Sequence, residues 1–128
     1  MNRERALKIL LVLVGLLFLA GLYPLMTSLW QANASVSEGD KMMLSIYVTL
    51  GVFVLLAARN PSANRSLIAF TAWSSLAHAA VMAVLAFQIA SERREFLIAV
   101  AVLGIIGVAL LVLAPAKVSG ERASAAGA

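Results

Sequence analysis

Four long apolar runs, separated by short polar breaks, set the pattern along the chain: 9–30, 42–58, 67–90 and 96–114. Each has roughly the 17 to 25 residues that an α-helix needs to cross about 30 Å of hydrocarbon. None contains Asp, Glu, Lys or Arg. Lipid offers the backbone no hydrogen-bonding partner, so runs of this kind must be helices rather than open strands. Short connections favour antiparallel neighbours. The pattern therefore predicts an all-α fold, an integral membrane antiparallel four-helix bundle with four transmembrane helices. It forms one domain over 1–116, followed by a short cytoplasmic tail, 117–128, of small and polar residues expected to be disordered.

The breaks carry their own chemistry. Gln31 to Lys41 has the Asn, Ser, Gly and Asp composition of a loop. In Arg59-Asn60-Pro61-Ser62-Ala63-Asn64-Arg65, Asn60 is placed to cap a helix that begins at Pro61. Ser91 to Glu95 is a tight connection. Inside the runs, Pro24 with Gly21 just before it predicts a kink in the first helix. Ser75, Ala79 and Ala83 recur at four-residue spacing and offer a close-packing face on the third helix. Gly104 and Gly107 offer the same on the fourth.

Composition strengthens the membrane assignment. Of 128 residues, 62% are hydrophobic and 12% charged, and the mean hydropathy is +0.97. A soluble domain has about a quarter of its residues charged. The absence of cysteine excludes disulfides, thiolate metal sites and cysteine nucleophiles. A net charge of +4 and a pI near 10.1 would suggest nucleic acid in a soluble protein. Here the basic residues flank apolar spans, so no nucleic-acid partner is expected and the charge bears on orientation instead. Arg3, Arg5, Lys8, Arg59, Arg65, Lys117 and Arg122 fall on one side, and Lys41, Arg93 and Arg94 on the other. The basic-rich side is the cytoplasmic one, which puts both termini inside. The stretch ending in Ala32-Asn33-Ala34 resembles a signal-peptide cleavage site, but its apolar run is too long for a signal core. Asn33-Ala34-Ser35 and Asn64-Arg65-Ser66 match the glycosylation pattern and are read as loop chemistry.

Polar side chains within the spans are the candidates for function. Thr71, Ser74, Ser75 and His78 fall on one stripe of the third helix, continued by Met82, Leu85 and Ile89. Such a stripe should face the bundle interior. Tyr23, Thr27 and Ser28 on the first helix, Ser45 and Tyr47 on the second and Gln88 on the third lie toward the outer leaflet. One expectation is an interior pocket with His78, Tyr47, Tyr23, Gln88, Ser74 and Ser75 as its ligand-binding groups. It would suit an amphipathic molecule such as a quinone. The other is that the hydroxyls bond to backbone carbonyls and hold the bundle together. Trp30 is expected as an interface anchor, and Trp73 lies opposite His78.

Several chemistries lack their residues. Haem is disfavoured because His78 is the sole histidine, so one chain cannot supply two-histidine ligation. No metal site is expected, since no carboxylate lies in the spans. Nothing acidic orients His78 toward Ser74 or Ser75, so no hydrolytic triad and no catalytic residue is expected. The first span holds no glutamate, which the small four-span multidrug exporters require for proton coupling.

Four segments together resemble a family of small bacterial four-span proteins of unknown function. They are Met1 to Lys8 with Tyr23-Pro24, Met42-Met43-Leu44-Ser45-Ile46-Tyr47, Arg59-Asn60-Pro61-Ser62, and Ala72-Trp73-Ser74-Ser75-Leu76-Ala77-His78-Ala79. More distantly the layout resembles the DoxX-like four-helix membrane proteins, some of them associated with quinone-linked oxidoreductase complexes, an analogy of fold alone. The nearer resemblance implies a multi-pass protein of the bacterial inner (plasma) membrane. The leading functional expectation is a non-enzymatic accessory or scaffold subunit, with the lipid bilayer and either a second copy or another membrane protein as partners, and without a cofactor. The alternative is a binder of a lipophilic redox molecule such as a quinone, around His78 and Tyr47. A small-solute transporter is the third.

Overall fold

The computed structural model describes residues 2–30 and 37–115, so the expected tail at 117–128 and the Ala32-Asn33-Ala34-Ser35 stretch lie outside it. Five α-helices follow one another: α1 (Arg3–Leu19), α2 (Leu22–Trp30), α3 (Glu38–Ala57), α4 (Arg65–Gln88) and α5 (Arg93–Leu113). With α1 and α2 taken as one broken rod, four helical segments among the described residues are long and apolar enough to cross a membrane.

Each span begins before its apolar run and closes at or just before the end of that run. At α1, Asn2 Oδ1 accepts from the Arg5 backbone N–H at 2.8 Å. At α3, Ser37 Oγ accepts from the Asp40 N–H at 3.1 Å and donates to the Asp40 carboxylate at 2.8 Å. Each cap satisfies an N–H that the first turn leaves without a partner, so α1 and α3 begin in polar sequence. The third helix departs from expectation. Pro61–Asn64 form a 3-10 turn, and the Asn60 side chain caps nothing. Its backbone carbonyl instead accepts from the Ala63 N–H at 3.2 Å and from Asn64 Nδ2 at 2.9 Å. That local arrangement delays the regular helix to Arg65.

The kink expected near Pro24 is a full break. Proline has no N–H to return to the Ala20 carbonyl. The chain closes α1 one turn earlier, with Ala20 N–H donating to Leu16 O at 2.9 Å and Gly21 N–H to Phe18 O at 3.2 Å. Pro24 then sits in the first turn of α2, where a missing N–H costs nothing.

Packing divides the molecule into two hairpins, α1 and α2 with α3, and α4 with α5, joined by thinner α1–α5 and α3–α4 contacts. Glycine makes the first hairpin possible. A Cβ on Gly51 would lie 2.9 Å from the Gly15 carbonyl oxygen, 3.0 Å from Phe18 Cβ and 3.1 Å from the Leu19 nitrogen. In the second hairpin a Cβ on Gly107 would lie 2.6 Å from Leu76 Cγ and 3.0 Å from the Ala72 carbonyl oxygen. Gly104 has nothing within 4 Å, so of the two glycines expected on a packing face only Gly107 is on one. Between the hairpins one core gathers Leu7, Leu11 and Val14 with Val54, Ile68, Ile106 and Leu110. The outer surface is apolar as well: on α5 Ile105, Val108 and Val112 are exposed.

Arginines tie one end together. Arg3 donates to the carbonyls of Val112 at 2.8 Å and Ala114 at 2.9 Å, and Arg65 Nε donates to the Pro115 carbonyl at 3.0 Å. The last carbonyls of α5 have no partner within the helix, and cations suit that end of its dipole. Arg3→Ala is expected to lower stability by about 1 kcal/mol and to fray the last turn of α5. Hydrogen exchange at 110–115, compared with that of the wild-type chain, measures the fraying, and unchanged protection there would mean the clamp carries no stability.

Candidate functional site

The thin seam between α3 and α4 holds a groove of about 290 Å³. Its walls are almost wholly apolar, with Met43, Ile46 and Leu50 from α3 facing Phe70, Ala77 and Val81 from α4. Its polar groups are Tyr47, Ser74 and His78.

Tyr47 is positioned from both sides. The Phe18 ring of α1 meets it edge-on, with centroids 4.9 Å apart and planes at 80°. This is a favoured geometry for a quadrupole pair. On the other side Tyr47 Oη and His78 Nδ1 share a hydrogen bond of 2.6 Å. A single side chain on α3 thus links α1 to α4, across the boundary between the hairpins.

Apart from Ser75, the other serine and threonine hydroxyls of the apolar runs bond within their own helices. Ser45 donates to Met42 O at 2.6 Å and Thr49 to Ser45 O at 2.9 Å. Thr71 donates to Leu67 O at 2.8 Å and Ser74 to Thr71 O at 3.2 Å. Ser28 does the same with Leu25 O at 2.8 Å. Back-bonding of this kind leaves a hydroxyl little reason to seek a ligand.

The Tyr47–His78 pair differs. A neutral imidazole has one N–H and a phenol one O–H, so the pair holds two donors and uses one in its mutual bond. If Tyr47 donates, His78 carries its proton on Nε2. If His78 donates from Nδ1, the phenol O–H is left. Either tautomer leaves one donor over, and neither residue has a second hydrogen-bond partner among the described residues.

The six residues singled out from the sequence separate. His78, Tyr47 and Ser74 share the groove. Ser75 is fully buried, and its hydroxyl has no partner among the described residues. Tyr23 is 78% exposed on α2, and Gln88 is exposed at the end of α4; neither lines the groove. The polar stripe on α4 is therefore split, with Thr71 and Ser75 buried while Ser74 and His78 face the α3 seam. Trp73 is 61% exposed on the outer surface. Phe18 was not among the expected site residues. Its signal was an aromatic side chain one turn before the Gly21–Pro24 break, which carries no chemistry until Tyr47 is set against it.

Among the described residues no group of three or more His, Cys, Asp or Glu could hold a metal ion. No curated protein and no solved structure matches the chain. Residues 2–126 match the profile of DUF6632, and the chain belongs to that family of unknown function.

Proposed function

We propose that this protein binds a lipophilic molecule in the α3–α4 groove, with the Tyr47–His78 pair donating a hydrogen bond to an acceptor on the ligand. The observation that carries this is the 2.6 Å pair with a donor left over in an apolar groove. A donor in such surroundings is costly without a partner. A ring or chain carbonyl in an otherwise apolar body matches it, and a quinone is the first class to test.

The proposal places the protein as a multi-pass protein of a bacterial inner membrane with its termini in the cytoplasm. Support comes from the end where Arg3 and Arg65 reach the close of α5, because Arg5, Lys8 and Arg59 belong to the same end of the chain's zigzag. The opposite end has Lys41, Arg93 and Arg94. Basic residues concentrate on the cytoplasmic side.

A second reading is an accessory or scaffold subunit, and Gly104 favours it. Open space above its Cα leaves α5 a flat spot where a further helix could approach.

Purification of the full chain in mild detergent, followed by mass spectrometry and an absorption spectrum of the extract, separates the two. A stoichiometric quinone or other carbonyl lipid, lost in His78→Ala, is the expected result. Bulk phospholipid alone in both proteins would sink the ligand reading and leave the accessory role.

A further inference from the structure

We infer that the ligand of this groove is a neutral, chain-bearing lipid whose carbonyl head sits in the middle of the hydrocarbon. Its chain lies along the α3–α4 seam toward the 58–64 connection. The inference rests on the ligand-binding reading above and adds what the head must be and where the chain goes.

Depth decides the head. At roughly 1.5 Å per residue, His78 lies about 20 Å along α4 from Arg65 and about 15 Å from Gln88. The hydrocarbon core is about 30 Å thick. A donor at His78 therefore meets molecules near the bilayer centre. The ester carbonyls of a phospholipid stay at the edge of the hydrocarbon, held there by a charged headgroup. No charged side chain lines the groove, so an ionised head would have no counter-charge at that depth. What remains is an uncharged carbonyl that partitions into the bilayer interior.

A second lobe decides the chain. A second space of about 340 Å³ adjoins the groove, sharing Ile46, Leu50 and Phe70 with it and reaching Phe53 and Leu67. Ser45 and Thr49 also line this lobe, but their hydroxyls already donate to Met42 O and Ser45 O. With those protons used, the lobe offers a ligand carbonyl no donor and is otherwise apolar. From His78 to Leu67 is about 16 Å along α4, room for a medium-length chain. In the other direction the first lobe ends at Met43 and Val81. Ile46, Phe53 and Phe70 are exposed along the rim, so the ligand reaches the groove sideways from the lipid.

Lipid surrounding the protein is as apolar as the lobe, so chain length alone gives little gain in affinity. Blocking the lobe is the sharper test. Full-length protein in lipid nanodiscs is labelled with a photoreactive, chain-free azidobenzoquinone. A dimethoxy-methyl-benzoquinone with no chain and its decyl analogue then compete, each expressed as mole fraction in the bilayer. Thr49→Trp fills the second lobe from an exposed position, with Thr49→Phe as a smaller replacement should the first not fold. The decyl analogue is expected to lose about tenfold or more in competing strength, and the chain-free quinone much less. A selective loss in Val81→Trp instead would show that the chain runs the opposite way, and overturns the inference. Equal effects on both quinones in every variant overturn it too, while leaving the site itself standing. Failure of the azidoquinone to label wild-type protein, or of either quinone to displace it, removes the ligand-binding reading and this inference with it.

Discussion

Gly51→Ala is expected to destabilise the protein by about 1 to 3 kcal/mol, the cost of forcing one extra methyl into a closed contact. The added carbon would stand 2.9 Å from the Gly15 carbonyl oxygen and 3.1 Å from the Leu19 nitrogen. Both are backbone atoms, which no change of rotamer can move. Relief requires α1 and α3 to separate, and every contact along that hairpin weakens with distance. Gly15→Ala should cost less: it meets one backbone atom, the Gly51 carbonyl oxygen at 3.1 Å, and otherwise the Leu55 side chain at 2.6 Å, which can swing aside. Gly104→Ala is the control. With nothing within 4 Å of the new carbon, it should be neutral or slightly stabilising through helix propensity. Reversible unfolding of the three variants in mixed dodecylmaltoside–SDS micelles measures the order. Equal losses at Gly51 and Gly104 would mean that backbone contact between α1 and α3 does not hold the first hairpin together.

If the groove binds a carbonyl lipid as proposed, His78→Ala is expected to weaken that binding by about tenfold or more, since a hydrogen bond made in hydrocarbon has no water to replace it. The same change should cost stability only about 1 kcal/mol, the scale of an interhelical hydrogen bond between membrane helices. Tyr47→Phe separates orientation from donation. It keeps the ring that packs edge-on against Phe18 and removes the phenol O–H. The imidazole retains one N–H but loses the partner that fixes its ring, so an intermediate loss of binding is expected. Binding of the co-purified or tracer molecule, read beside the unfolding curve of each variant, distinguishes the roles. Equal affinity in wild type and His78→Ala would place the ligand elsewhere.

Helix existence was legible because burial in lipid is an unusually strict constraint. Four uncharged runs of spanning length exclude open strands, and their length is that of helical spans. The runs at 9–30 and 67–90 correspond to segments the structure carries from Arg3 to Trp30 and from Pro61 to Gln88. Ends were less legible. Asn2 and Ser37 extend helices into polar sequence by capping them, whereas Asn60, with the same capping chemistry, turns its carbonyl to Ala63 and Asn64 instead. A cap depends on the local path of the chain as much as on the residue.

Three of the six residues singled out from the sequence line the groove, and its geometry was not legible. His78 and Tyr47 stand out because a histidine and a tyrosine are rare among so many aliphatic side chains. Their 2.6 Å contact joins residues on different hairpins, and nothing along either helix encodes it. Gln88 and Tyr23 stood out for the same reason, yet both are exposed away from the groove. Polarity identifies what is costly in lipid without saying which costly groups meet.

The sequence alone carried the helices, the number that could span a membrane, a disturbance of the first one near Pro24 and the polar groups inside the spans. Those properties follow from length, charge and backbone hydrogen bonding, each of which one segment settles alone. Only the tertiary structure decided that Gly15 meets Gly51, that Gly107 meets Leu76 while Gly104 meets nothing, and that Tyr47 bridges Phe18 and His78. Lipid is as apolar as the helices it surrounds, so no hydrophobic gain selects which faces pair. The choice falls to the shapes of side chains on two helices at once, and a pattern read along one helix cannot contain it.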